Sequence, residues 1–403
     1  MTQIRTEPYW LKVPTIKGST DPVKGGGICV IGSGLAGSST AYFLEKAGLG
    51  PVTLIDYQTD TAASFRNCGH ILHGTVESML ALSSLHGEDL AKDIWGLSVE
   101  ICDEVSKTVK DLSLNCEYKQ DGYLVIAIDD AELSEIHQSI ELLNKHGFEN
   151  KFIEQKSLEN MGFQNIKGAR FEPGSAQAHP VKFRNGVLKA AMDLGTRYFS
   201  SAKVLSVDES GGQVYVEIED QGRISFDAAV VAANAYSPLL SNFYESHKLV
   251  EPFKGQIICS KPLKSRLPVS YPHSFDHGYE YALASQDNRL IIGGWRNNTP
   301  GGEVGTYDIS VNQTVEDGLK DFAKHHYKID ETLEWEYSWA GIMASSKTAF
   351  PFIGPTNSPL IYTVGGFTGH GFSWAHGSAK ILVDIMAGNP VTPLSQHFNP
   401  RLL

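Results

Sequence analysis

Residues 28–37 read Ile28-Cys29-Val30-Ile31-Gly32-Ser33-Gly34-Leu35-Ala36-Gly37, and the run closes at Asp56 after Val52-Thr53-Leu54-Ile55. The apolar, β-branched start suits a strand buried on both faces of a parallel sheet. Gly32, Gly34 and Gly37 fall in the order G-x-G-x-x-G. That order serves a tight turn, close backbone approach to a pyrophosphate, and helix-on-strand packing. From Leu35 to Ala47, apolar residues such as Ala41, Phe43 and Leu44 alternate with small ones. A helix here can lie tightly on the sheet and point its positive N-terminal end at phosphates. Gly48 and Gly50 end it, and the second strand places Asp56 to accept hydrogen bonds from an adenosine ribose. Strand, turn, helix, strand and acid in one pass predict a dinucleotide site of the Rossmann kind.

The 403 residues suit two domains, or one domain with a large insertion. Lys plus Arg number 34 against 46 Asp plus Glu, a net charge of −12 with no long basic run, so nucleic acid is not an expected partner. No stretch approaches the roughly 20 apolar residues of a membrane span, and the N-terminus lacks the apolar segment of a signal peptide. The expectation is a cytoplasmic chain with no transmembrane segment. Cys29, Cys68, Cys102, Cys116 and Cys259 are odd in number and form no C-x-x-C, which fits a reducing compartment. Histidine pairs such as His70 with His73 lack a second cluster at ligand spacing, so no metal is expected.

Residues 1–27, with Pro8, Pro14, Pro22 and a glycine run, read as an arm that Tyr9 and Trp10 can anchor by packing. Leu90, Ile94, Leu97, Ile101 and Val105 mark a long amphipathic helix. A strand is predicted over 122–128, then a helix capped by Asp130. From 202 the period changes to two: a hairpin around Gly211-Gly212, a buried strand over 224–232, and strands over 255–259, 279–284 and 290–294. A helix is expected around 315–325. The fold class is α/β (α+β overall), a Rossmann-like nucleotide-binding domain with an inserted antiparallel-sheet substrate domain. The expected limits are 28–115, 160–235 and 336–403 for the first and 116–159 and 236–335 for the second.

Near the other end, Ile361 to Gly371 reads I-Y-T-V-G-G-F-T-G-H-G before a helix-like stretch. Gly365, Gly366, Gly369 and Gly371 again let backbone approach a ligand closely. With the first cluster, and with Ser64-Phe65-Arg66-Asn67-Cys68-Gly69-His70, His179-Pro180 and the V-V-A-A-N-A-Y-S-P run from Val230 to Pro238, the chain resembles the D-amino-acid oxidase family of FAD-dependent oxidoreductases. That family includes glycine and sarcosine oxidases, D-amino-acid dehydrogenases and γ-glutamylputrescine oxidase-like members. The resemblance covers nearly the whole chain and makes the nucleotide domain an FAD-binding one.

The resemblance implies that Gly32, Ser33, Gly34, Leu35, Ala36 and Gly37 form the FAD pyrophosphate turn, that Asp56 meets the ribose, and that Val204 faces the adenine. It implies that Ser64, Arg66, Asn67, Cys68, Gly69 and His70 run beside the flavin ring, with Asn234, Gly341, Gly366, Gly369, His370, Gly371 and Phe372 completing its surroundings. Ser373 stands where sarcosine oxidases carry a lysine after G-H-G-F, and the family's T-P-D-G-x-P segment appears as Ser346 to Pro351, without the aspartate and with Lys347 nearby. Tyr337 to Ser346 has no cysteine for a flavin bond, so non-covalent FAD is expected, Cys68 and His70 being the side chains otherwise able to form one.

The implied reaction oxidises the C–N bond of an amino acid or amine by hydride transfer to flavin N5, giving an imine that hydrolyses, with oxygen or a quinone as electron acceptor. Few acid or base residues are needed. His70 and His179 are the candidates to tune the amine, Tyr279 and Tyr281 to wall the cavity, and Arg66 and Lys347 to hold a carboxylate. Arg289 reads as a surface residue. Two alternatives stand beside this: a 2-hydroxy-acid dehydrogenase with His70 as base, and a flavoprotein subunit that acts with or on a partner protein through an exposed Tyr9-Trp10 arm.

Overall fold

Ile28–Ile31 lies inside a six-stranded sheet ordered Phe352–Pro355, Ile361–Gly365, Ala228–Val231, Ile28–Ile31, Val52–Ile55, Arg197–Phe199 in the computed structural model, which describes residues 4–267, 269, 271–329 and 332–403. Neighbours are parallel except for the outermost pair, Phe352–Pro355 with Ile361–Gly365. Val30 points into a core built with helices Leu35–Lys46, Glu88–Asp111, Pro180–Leu194 and Gly371–Met386. Cys29 and Ile31 point the other way, into a core shared with the three-stranded meander Val204–Ser210, Gln213–Ile218 and Gly222–Phe226. Both faces are covered, which is why this strand is continuously apolar. Each fully buried side chain such as Val30 or Leu54 contributes about 1.5–3 kcal/mol.

An eight-stranded sheet forms the second unit, ordered Trp335–Ser345, Glu251–Ser260, Leu290–Gly293, Glu280–Ala284, His273–Phe275, Tyr123–Ala127, Gly168–Glu172, Lys151–Glu154. Its pairings are antiparallel except where His273–Phe275 meets Tyr123–Ala127. Period two divides its faces. Leu124, Ile126, Ile258, Ala282 and Ile292 pack on the helix Gln313–His326, whereas Tyr123, Val125, Ile257 and Tyr281 face a cavity toward the nucleotide domain.

Two strands sit elsewhere than the expected limits put them. Gly168–Glu172 falls within 160–235, and Trp335–Ser345, all but its first residue, within 336–403, yet both pair in the large sheet, because strand membership is fixed by pairing across long loops and not by position along the chain. The single strand expected over 224–232 is two, Gly222–Phe226 in the meander and Ala228–Val231 in the parallel sheet. The helix Asp130–Lys145 is capped one residue earlier than expected, by Asp129, which accepts from the Glu132 N–H at 2.8 Å.

The Tyr9-Trp10 part of the N-terminal arm is packed down and is not exposed. Trp10 is buried, its Nε1 donates to the Asn67 carbonyl at 2.8 Å and its ring meets His179 edge-on, while the Tyr9 hydroxyl donates to Asp287 at 2.6 Å. Arg289, expected at the surface, is buried between Asp287 and Glu336 at 2.7 and 2.6 Å, over the Tyr9 and Tyr337 rings. No helix among the described residues is long and apolar enough to cross a membrane.

Candidate active site

A cavity of about 1070 Å³ runs from Asp56 and Val204, past the glycine turn, to the face of the large sheet. At the turn, Gly32 has φ +100°, and a Cβ there would stand 2.7 Å from the Ala232 carbonyl oxygen. A Cβ on Gly37 would stand 1.7 Å from the Gly32 oxygen, so this glycine lets the helix sit on the strand. Gly34 ends the turn without a side-chain cap, and Ser64 Oγ accepts from the Leu35 N–H at 2.8 Å. Free amides at a helix N-terminus in a glycine cradle suit a pyrophosphate.

Asp56 is held in place by a network the sequence did not announce. Its Oδ2 accepts from Ser33 N at 2.7 Å and Ser33 Oγ at 2.5 Å, and its Oδ1 from Tyr57 N at 2.6 Å. Fully buried Arg184 donates to the Ser33 carbonyl and hydroxyl at 2.7 and 2.6 Å. Ser33 therefore points into this network, and neither it nor Gly37 lines the cavity, whereas Gly32, Gly34, Leu35, Ala36, Asp56 and Val204 do. The glycine cradle, the free helix end and the fixed acid fit FAD.

Beyond the turn, a 3-10 turn at Ala63–Phe65 leads into Arg66, Asn67, Cys68, Gly69 and His70, all on the cavity wall with Ser64. Asn67 shapes the loop: its Nδ2 donates to Ala63 O at 3.1 Å and its Oδ1 accepts from Gly69 N at 2.8 Å. Gly341 passes so close that a Cβ would lie 2.9 Å from Arg66 Cβ. Asn234, Gly341, Gly369, His370, Gly371 and Phe372 line the cavity. Gly366 does not; its N–H donates to Asn234 Oδ1 at 2.9 Å and steadies the turn behind the wall. Burial pushes the Cys68 thiol up, away from the thiolate form.

The candidate chemical residues separate. Tyr281 and Tyr279 both line the cavity, although Tyr279 sits in the turn before the strand and not on it. His70 lines it too, edge-on to Tyr123 and Tyr281, with Nε2 3.1 Å from the Ala282 carbonyl. Burial, aided by His273, brings its pKa down to about 3, so it is neutral across the physiological range instead of titrating within it. His179 is not in the cavity: it caps the helix Pro180–Leu194, accepting from Lys182 N at 3.3 Å, and burial lowers it to about 4. Lys347 is exposed, outside the cavity, with Nζ 3.2 Å from the Leu403 carbonyl. Arg66 lines the wall but spends its guanidinium on the Asp60 and Ala340 carbonyls at 3.0 and 2.6 Å.

A model of the family described as "DAO: FAD dependent oxidoreductase" matches residues 27–385. The chain belongs to that family. As a DAO-family member it is an FAD-dependent oxidoreductase. It is similar to the probable oxidoreductase OrdL of Haemophilus influenzae, 26% identical over 90% of this chain and 83% of the other. It is also similar to the gamma-glutamylputrescine oxidoreductase of Escherichia coli, 24% identical over 90% and 84%. The fold matches glycine oxidase from Geobacillus kaustophilus with a TM-score of 0.78 at 17% identity, covering 93% and 98% of the two chains.

Other residues of this DAO-family site lay beyond the motifs. Arg66, Arg170, Lys203 and Arg296 are the cations on the wall. Arg170 contacts Glu172 at 3.1 Å and Lys203 contacts Glu219 at 2.7 Å. Among the described residues Arg296 has no carboxylate partner; it lies over Phe253 and Tyr279 at 4.6 and 5.4 Å and donates to Gly302 O at 3.2 Å. Its one sequence signal was its place three residues past the Leu290–Gly293 strand. His370 has Nδ1 buried without a partner among the described residues and is brought to about 4 by burial.

Proposed function

We propose that this FAD-dependent oxidoreductase oxidises the C–N bond of an amino acid or amine, giving an imine that water hydrolyses. The observation that carries this reading is the cavity itself, which continues from the glycine turn past neutral His70 and His370 and Tyr281 to Arg296, a cation with no carboxylate partner among the described residues. Where His70, His370 and Tyr281 line it, the wall is neutral and buried, which favours a deprotonated amine over an ammonium. Arg296 offers donors to a carboxylate, which makes an amino acid a better fit than a bare amine. Tyr281, whose hydroxyl burial keeps protonated, adds a donor close to that guanidinium.

FAD, when bound, would supply the two-electron acceptor for the hydride. The chain orients the substrate between the Arg66–His70 loop and the large sheet. The raised Cys68 thiol supports FAD held without a covalent bond. The relatives named for gamma-glutamylputrescine and for glycine are consistent with a C–N substrate. The hydroxy-acid alternative depended on His70 as base, and His70 Nε2 is turned to a carbonyl oxygen. Oxygen or a quinone reoxidises the flavin in this reading.

Anaerobic mixing with a panel of D- and L-amino acids, N-methylated amino acids and polyamine derivatives tests it. Bleaching of the flavin by one of these classes is the expected result. Bleaching by 2-hydroxy acids alone would overturn it.

A further inference from the structure

Two buried indoles grip successive carbonyls of the loop that runs along the cavity. Trp10 Nε1, from the N-terminal 3-10 turn Tyr9–Lys12, donates to the Asn67 carbonyl at 2.8 Å. Trp339 Nε1, from the strand Trp335–Ser345, donates to the Arg66 carbonyl at 3.0 Å. Trp10 is 3% exposed and Trp339 fully buried, in one apolar core with Phe65, Val181 and Tyr337. Neither indole lines the cavity, whereas Arg66, Asn67 and Cys68 do. A buried indole N–H needs an acceptor because it can only donate, and here each takes one from the backbone of the loop.

A trans peptide unit is planar, and its C=O and N–H point in opposite directions. With the Arg66 and Asn67 carbonyls drawn into the core, the N–H groups of the same two units, those of Asn67 and Cys68, are turned away from it, to the cavity side of the loop. Neither N–H has an acceptor among the described residues. The amides on either side are both used: Arg66 N donates to the Ala63 carbonyl at 3.0 Å and Gly69 N to Asn67 Oδ1 at 2.8 Å. The far end of the loop is fixed at Gly69, whose carbonyl accepts from the Ala178 N–H at 2.9 Å. Two successive N–H groups on one side of a turn make a concavity that suits a negatively polarised acceptor.

We propose that Trp10 and Trp339 are positioning residues for the cofactor: their indoles hold the loop so that the Asn67 and Cys68 N–H groups donate to a carbonyl oxygen of the flavin ring. This rests on FAD lying in the cavity and not on the amine reading above. A ring carbonyl carries more negative charge once the flavin is reduced, and a hydrogen bond to a charged acceptor is stronger than one to a neutral acceptor. The pair therefore favours reduced over oxidised flavin and raises the potential of the bound cofactor. The N-terminal arm acts through the same clamp. Its turn is anchored by the Tyr9 hydroxyl on Asp287 at 2.6 Å, by the Trp10 ring edge-on to His179 at 4.8 Å, and by the Arg5 N–H on the Glu336 carbonyl at 2.9 Å. Trp10 thereby reaches the flavin through one carbonyl, without lining the cavity itself.

The test replaces each indole by a ring that packs but cannot donate. Trp10→Phe and Trp339→Phe are expected to lower the two-electron potential of the bound flavin, read by anaerobic titration against a reference dye. The expected shift is about 30 mV each, which corresponds to about a tenfold change in the binding of reduced over oxidised FAD. A wild-type potential in variants that hold FAD, whatever their melting temperature, would overturn the role and leave the two indoles as core packing. If the variants do not retain FAD, amide hydrogen exchange of the wild type decides. Adding FAD to the apoprotein should slow the amides of Asn67 and Cys68 together with those of the glycine turn at 32–36. Slowing at the turn alone would overturn the clamp with the placement of FAD intact, and slowing at neither would remove both.

Discussion

The glycine turn and the face of the large sheet are two walls of one cavity built by different means. The turn is local: Ile28 to Asp56 supplies strand, helix, close approach and acid within one βαβ passage, and Gly32, Gly34 and Gly37 each have a steric reason visible in their immediate neighbours. The sheet face is assembled from distant segments, with Tyr123, Glu172, Tyr281 and Arg296 arriving on different strands and turns. The turn's wall therefore rests on backbone shape, and the sheet's wall on side chains whose partners decide their chemistry.

Breaking the first wall should cost most. Gly37→Val places a Cβ 1.7 Å from the Gly32 oxygen, so helix and strand cannot keep their packing. Purified protein is expected to lack bound FAD, seen as loss of visible flavin absorbance; full FAD content would contradict the placement of the turn. Arg296→Ala strikes the second wall with the first intact. Losing charge-assisted bonds of about 1.5–3 kcal/mol is expected to raise KM for amino acids roughly 10- to 100-fold, and KM for simple amines by less than about threefold. Equal effects on the two would remove the carboxylate role.

Glu280 sharpens the contrast through pH. Burial first, then Asp276, pushes its carboxyl up to about 8 from 4.5, so above about 4.5 the folded chain keeps a proton that the unfolded chain releases. Stability from this group is lost as pH rises through that interval up to about 8. Glu280→Gln keeps an acceptor for the Trp295 N–H, a bond of 3.1 Å in the wild type, and should flatten the fall of Tm between about pH 5 and pH 9; identical slopes would contradict it. Lys347→Ala should change KM least, within about twofold for any substrate, since the side chain reaches the Leu403 carbonyl outside the cavity.

The same division explains what could be read in the sequence. Fold class, the glycine turn, Asp56, the Arg66–His70 loop and the Gly369–Phe372 cluster were legible because each is a short motif with its own steric demand. The stacking of Gly168–Glu172 and Trp335–Ser345 in the large sheet was not, since register across long loops leaves no local mark. His70 and His179 were read from residue type, which gives a pKa near neutrality; burial, invisible in sequence, moved both out of that range. Lys347 kept its place in the motif but not its direction. Arg296 carried no motif at all, being defined by a missing carboxylate.

The most direct test of amine oxidation in this cavity compares an amino acid or amine that bleaches the flavin with its α-deuterated form, under anaerobic single-turnover mixing. A severalfold slower bleaching with deuterium is predicted, because the C–H bond next to nitrogen is the one broken. Equal rates at saturating substrate, or bleaching confined to hydroxy acids, would contradict it.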